Sequence, residues 1–233
     1  MAQTLQKAAA WQAEAVHLTR LGHSCLLVEA AGARILIDPG AFSHGFEELT
    51  GLDAILVTHQ HPDHIDVERL PLLLEANDGA RLVAEPEIAA QLRESGFEVT
   101  ALHPGDSASF AGATVTGAGG THAEIHSDIP LVGNVGMLVT GEGEPTLFHP
   151  GDSYDTAPEG VDVLALPLSA PWARVGMTVD YARAVGAASV IPIHDAIVSS
   201  TGRGVYVRVL KQLLPETSRF HDPEAGAAWE CPA

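Results

Sequence analysis

The chain has 233 residues, 46% of them hydrophobic, which is enough to bury a core and excludes wholesale disorder. Its 30 acidic side chains against 12 basic ones leave a formal net charge of −18, a surface that repels phosphate backbones and excludes nucleic acid as a partner. Only two cysteines occur, Cys25 and Cys231, with no Cys-x-x-Cys pair, so no disulfide framework is expected and a reducing cytoplasm is.

Residues 1–16, "MAQTLQKAAAWQAEAV", read as an Ala/Gln-rich extension with one lysine and no long apolar run, neither a secretory signal nor a membrane anchor. Residues 17–233 read as one domain, since no low-complexity linker divides them. "HSCLLVEA" and "ARILIDPG" are strands joined across "AGA" as a hairpin, and "DAILVTH" is a β-branched strand that stops abruptly in polar residues. "DVERLPLLLEAN" and "PEIAAQLRESG" are helices, the second bounded by Pro86 and Gly96. Strands follow in "FEVTAL", "GATVTG", "VGMLVT", "PTLFH" and "VDVLALP". Next come a helix in "TVDYARAVGA" with Thr178 as its cap, a strand in "ASVIPIH", and a closing helix in "GVYVRVLKQLL". Strands and helices mix in both halves, which gives an α/β class of fold.

Twelve histidines equal Lys and Arg together, and histidine is the commonest metal ligand. They are not spread evenly. "ILVTHQHPDHID" packs His59, His61, Asp63 and His64 into six residues just past a strand end, a density with no evident use unless a cation is held there. The string "HPGDS" occurs twice, at residues 103–107 and 149–153. In both copies Pro-Gly supplies a turn, and each mounts an aspartate, Asp106 and Asp152; the first, between "FEVTAL" and "GATVTG", reads as an ordinary connection inside a sheet.

Thr-His-Gln-His-Pro-Asp-His resembles the His-x-His-x-Asp-His signature of the metallo-β-lactamase superfamily, and the resemblance extends from about Leu18 onward. "LGHSCLLVEAAGARILIDPG" is similar to the opening hairpin of that fold, while "VGNVGMLVT", "LFHPGDS" and "VIPIHD" fall in the order of its later elements. The nearest likeness is to the small stand-alone branch of ascorbate-6-phosphate lactonase-like, metal-dependent hydrolases. The resemblance implies a four-layer αββα sandwich with a dinuclear site along one edge of two sheets. It implies His59, His61 and His122 as ligands of one metal, Asp63, His64 and His194 of the second, and Asp152 as the bridge. In "AGGTHAEIH" His126 competes with His122, and Gly119 and Gly120 favour His122 by letting the backbone approach closely. The ligand order assigns the bridging role to the second HPGDS copy and leaves Asp106 as a plain turn residue. Asp38 is implied beneath the ligand loop, accepting hydrogen bonds that orient the ligands. His23, His103 and His149 fall outside the pattern and read as structural histidines.

Five imidazoles and two carboxylates around two divalent ions would leave two positive charges uncancelled, which suits a bridging hydroxide. Such ions lower the pKa of bound water, so no side-chain nucleophile is needed, and Asp63 can take up or relay a proton. Nitrogen and oxygen ligands admit Zn, Mn, Fe or Ni; the resemblance makes Zn the default, with Mn or Fe as alternatives. The loops "AEIHSDIPLVGN" and "SAPWARVGM" offer His126, Ile129, Trp172, Arg174 and Met177 to a pocket. Arg174 is either an anion-binding group or a solvated loop residue. The expected substrate is a small molecule, an ester, lactone or phosphodiester, with a homo-oligomer left open. Two other readings stand beside hydrolysis: a di-iron redox protein of the same fold, and a metal-binding scaffold that catalyses nothing.

Overall fold

A computed structural model describes residues 16–231. The extension expected over 1–16 therefore lies outside the described residues except for Val16. The strands form two seven-stranded sheets. In the first, β1 (His17–Arg20), β2 (Leu26–Ala30), β3 (Ala33–Ile37), β4 (Ala54–Val57), β5 (Arg81–Ala84) and β6 (Thr100–Ala101) lie in order, with β14 (Ala228–Glu230) outside β1. In the second, β7 (Ser107–Phe110), β8 (Ala113–Thr121), β9 (Gly133–Thr140), β10 (Leu147–His149), β11 (Val163–Pro167), β12 (Ser189–Ile193) and β13 (Arg219–Phe220) lie in order.

Three apolar clusters make four layers from these sheets. Leu18, Val28, Ile35 and Leu56 of the first sheet meet Val115, Met137, Val163 and Ile191 of the second in the central core. The outer face of the first sheet is covered by α1 (Leu70–Glu75) and α2 (Pro86–Glu94), through Leu70, Leu73, Ile88 and Leu92 packed on Leu36, Ile55 and Val57. α3 (Val175–Val185) and α4 (Ser200–Leu213) cover the second, with Val179, Ala182 and Leu210 against Leu164, Leu166 and Val190. This is the αββα sandwich. Strands buried on both faces explain why "AILV", "VLALP" and "SVIPI" read as unbroken apolar runs rather than alternating ones.

Several elements differ from the sequence reading. The first HPGDS copy does not connect strands within one sheet: it carries the chain from β6 in one sheet to β7 in the other. α1 starts late, at Leu70, because Pro71 suits only a helix's first turn, which leaves residues 66–69 of the expected helix outside it. α3 begins at Val175, so Thr178 lies inside it, its hydroxyl 3.0 Å from that of Tyr154. α4 is capped by the Ser199 hydroxyl, which accepts from Gly202 N–H at 3.1 Å, and it does not close the chain. Two short strands follow, and β14 pairs antiparallel with β1. Among the described residues no helix is long and apolar enough to cross a membrane.

Candidate metal centre

Strands β3 to β6 run parallel, as do β10 to β13, so both sheets present carboxyl ends of strands at one edge. His59 to His64 follow β4, Asp38 follows β3, His122 follows β8, Asp152 follows β10 and His194 follows β12. The seven side chains that the resemblance singles out are brought together there. Ligand-type atoms of His59, His61 and His122 lie within 4.8 Å of one another, as do those of His59, His64 and Asp152, and those of Asp63, His64 and His194 with His23. Asp152 stands between the groups: Oδ1 is 3.1 Å from His64 Nε2, and Oδ2 is 3.0 Å from His194 Nε2 and 3.5 Å from His122 Nε2.

The hydrogen bonds behind these rings fix which nitrogen faces the centre. His64 Nδ1 donates to Asp38 at 2.6 Å, His122 Nδ1 to the Ala123 carbonyl at 2.6 Å, and His194 Nδ1 to the Ser169 carbonyl at 2.7 Å. The Thr58 hydroxyl donates to Asp38 Oδ2 at 2.7 Å, which leaves its lone pair to accept from His59 Nδ1 at 3.1 Å. In each ring Nδ1 is held by a protein group and Nε2 points inward. His61 turns the other way, its Nδ1 3.1 Å from His59 Nε2. Buried Nε2 atoms of His64, His122 and His194, and Oδ1 of Asp152, have no hydrogen-bonding partner. Orphaned buried polar atoms are costly, and the three imidazole nitrogens gather around the Asp152 carboxylate, within 3.5 Å of its oxygens, where cations would relieve them. The residues fit a metal.

Electrostatics agrees with that demand. Burial works against charge on Asp152, yet His64 and His194 hold its carboxyl well below the usual range. Burial likewise opposes a charge on His194, but Asp152 and Asp63 raise its pKa to about 9. Burial, helped by neighbouring His64, depresses His59. Carboxylates kept ionised beside imidazoles that compete for protons form a site where a cation replaces protons.

The ligand loop is seated by its neighbours. Asp38 accepts from Thr58 N–H at 2.8 Å and sits in the left-handed region, with φ of 52°. A Cβ on Gly40 would lie 1.8 Å from the Asp63 carbonyl oxygen, so only glycine fits under the loop. Asn134, which the sequence did not single out, clamps the Asp152 turn: its Nδ2 donates to the Pro150 carbonyl at 2.9 Å and its Oδ1 accepts from Asp152 N–H at 2.9 Å.

His23 is not a bystander. Its Nδ1 accepts from Ala196 N–H at 3.3 Å, so the proton of the neutral ring is on Nε2, 3.0 Å from Asp63 Oδ2. It donates to Asp63, and with that tautomer it has no lone pair to give a metal. The signal for it was "LGHS": Gly22 at φ 94° and His23 at φ 46° form a strained turn, of the kind that persists at functional sites. His149 is structural, donating from Nε2 to the Ser24 carbonyl at 2.9 Å, whereas His103 is exposed.

The pocket residues divide. Trp172 is buried and donates from Nε1 to Asp152 Oδ2 at 3.0 Å, so its polar handle serves the centre while its ring lines a hollow beside His122. Met177 lines the same hollow. His126 is exposed and accepts from Asp128 N–H at 3.1 Å within its own loop, apart from the cluster. Arg174 is exposed ahead of α3, and Ile129 is exposed in the 123–132 loop.

Residues 17–194 match the family model described as a β-lactamase superfamily domain. The chain belongs to the β-lactamase superfamily, as one of its metal-dependent hydrolases. It is 51% identical over 211 residues to Protein Rv0786c of Mycobacterium tuberculosis, covering 87% of this chain and 98% of that one. A UPF0173 metal-dependent hydrolase from Exiguobacterium sp. is 30% identical, over 77% of this chain and 85% of its own length. The metallo-β-lactamase fold protein YhfI from Bacillus subtilis superposes with a TM-score of 0.72 at 17% identity, covering 93% of this chain and 99% of that one.

Proposed function

We propose that this superfamily member acts on a small molecule in the cytoplasm, cleaving an ester, lactone or phosphodiester at a dinuclear centre. His59, His61 and His122 would hold one divalent ion, Asp63, His64 and His194 the other, and Asp152 would bridge them. Such ions supply a water of lowered pKa and polarise the scissile carbonyl or phosphoryl oxygen. The chain's own residues do the rest. The hydrogen bonds from Nδ1 of His59, His64, His122 and His194 hold those rings in their inward-facing tautomer. Trp172 and Asn134 hold Asp152 in place. Asp63 is the group assigned to receive the proton; its side chain is 20% exposed, and His23 donates to its Oδ2. The buried, unpartnered nitrogens of His64, His122 and His194 around Asp152 are the observation that carries this reading.

All-nitrogen-and-oxygen donors suit Zn first, with Mn or Fe as alternatives. Protein purified without added metal and then analysed by mass spectrometry should contain about two equivalents of divalent ion. Chelation should abolish turnover on a panel of esters, lactones and phosphodiesters, and Zn or Mn should restore it. Protein that takes up no ion even in excess Zn or Mn sinks the proposal. An iron absorbance band without hydrolysis would favour redox chemistry instead.

A further inference from the structure

Ten large apolar side chains are exposed among the described residues, and four of them border the candidate centre or the residues that hold it: Leu131 and Met177 in the hollow beside His122, Phe42 against His23, and Ile197 next to Ala196. Of the others, Val67, Leu72, Val205 and Leu213 flank or belong to the outer helices α1 and α4, and Ile125 and Ile129 lie in the 123–132 loop. Isolated exposed apolar residues need no explanation, but a concentration at the mouth of a site does. On one side Leu131 (58% exposed) and Met177 (37%) line, with the Trp172 ring and the candidate ligand His122, a hollow of about 380 Å³. On the other side the Phe42 ring stands edge-on to His23, centroids 5.3 Å apart. Ile197 follows Ala196, whose N–H fixes His23. The centre thus has apolar surface on both flanks.

Charge narrows the occupant further. The carboxyl side chains that line the hollow are Glu124 and Asp155, both exposed, and no Lys or Arg lines it. Arg174, the expected anion-binding group, is not among its walls. An anionic group lying in the hollow would meet these two carboxylates with no cationic side chain on the walls to receive it, so its only attraction would come from the metals, which polarise every substrate class alike. An uncharged group with hydrocarbon on both sides meets no such opposition and covers the exposed Leu131 and Met177.

We propose, resting on the hydrolase reading above, that the site takes an uncharged carboxylic ester or lactone flanked by apolar groups and discriminates against phosphodiesters. Hydrolysis adds water across the acyl carbon–oxygen bond: the oxygen of water joins the acyl carbon, the bond to the leaving oxygen breaks, and the protons of water end on the alcohol and the released acid.

The test uses metal-loaded full-length protein with p-nitrophenyl acetate, butyrate and octanoate, with bis-p-nitrophenyl phosphate, and with N-octylacetamide as a binding probe followed by calorimetry. Each added methylene should raise kcat/KM about threefold while chain and hollow match, and the phosphodiester should trail the esters. Leu131→Asp and Met177→Asp should flatten that slope and weaken N-octylacetamide binding about tenfold or more, with metal content unchanged. A flat slope in the wild type, faster turnover of the phosphodiester, or probe binding equal in wild type and both variants overturns the proposal. Should no substrate turn over although metal is bound, the probe decides: binding lost in the variants upholds the apolar pocket while the hydrolase reading fails, and absence of binding to the wild type sinks the pocket.

Discussion

The same five residues, His-Pro-Gly-Asp-Ser, occupy two positions in this molecule and lead different lives. Residues 103–107 are exposed throughout and cross from one sheet to the other. The Asp106 carboxylate there serves its own turn, its Oδ2 accepting from His103 N–H at 3.1 Å. In the second copy His149 and Asp152 are buried, Asn134 grips the turn from β9, and Trp172 reaches Asp152 from the loop before α3. Both are tight turns with glycine at positive φ, 88° at Gly105 and 62° at Gly151. Local sequence therefore fixes the turn, and long-range partners fix what its aspartate does. A pentapeptide is a scaffold until something distant meets it.

Aspartate substitution should separate the copies most widely. Asp152→Ala should lose at least one bound metal equivalent and reduce turnover by 100-fold or more, read by metal analysis and steady-state kinetics. Asp106→Ala should alter neither; the opposite result would exchange the two roles. Alanine at the glycines comes next. A Cβ at Gly151 would stand 2.2 Å from Asn134 Oδ1 and 2.9 Å from Thr58 atoms, in addition to its left-handed strain. Gly151→Ala should cost about 2–5 kcal/mol in urea unfolding. A Cβ at Gly105 meets nothing within 4 Å, so Gly105→Ala should cost only about 1–2 kcal/mol. Equal costs would mean that the second turn is not clamped.

The smallest separation lies in the histidines and is one of pH. Burial lowers the pKa of His149, so the unfolded chain binds its proton more tightly than the folded one. Stability from this group is complete above its unfolded pKa of about 6.5 and declines as pH falls below that value. Comparing wild type with His149→Gln at a series of pH values should show a shallower acid-side loss in the variant. His103→Ala, at an exposed position, should stay within about 0.5 kcal/mol of wild type.

Much of the candidate site is legible because its densest part is local: His59, His61, Asp63 and His64 need only one loop after one apolar strand. His122 could be preferred to His126 from the glycines before it, and the structure puts His122 in the cluster and His126 outside. What escaped notice depends on partners far away in sequence. His23 acquires meaning only when the 194–198 loop brings Ala196 N–H to its ring, and Trp172 reads as a pocket wall until its N–H is seen on Asp152. The crossover at residues 103–107 was hidden because β6 has two residues and no pattern to mark its sheet. β13 and β14 are as faint, resting on pairing rather than on composition.

Two main-chain bonds stitch the halves together beside the cluster: Val135 N–H donates to the Thr58 carbonyl at 2.9 Å, and His194 N–H to that of His23 at 2.9 Å. Each joins a residue in or beside a strand of the second sheet, Val135 of β9 or His194 after β12, to one beside a strand of the first, Thr58 after β4 or His23 before β2. In deuterated water these two amides should exchange as a pair, and only when the sandwich parts along its middle, so they serve as a built-in gauge of whether its two leaves open together.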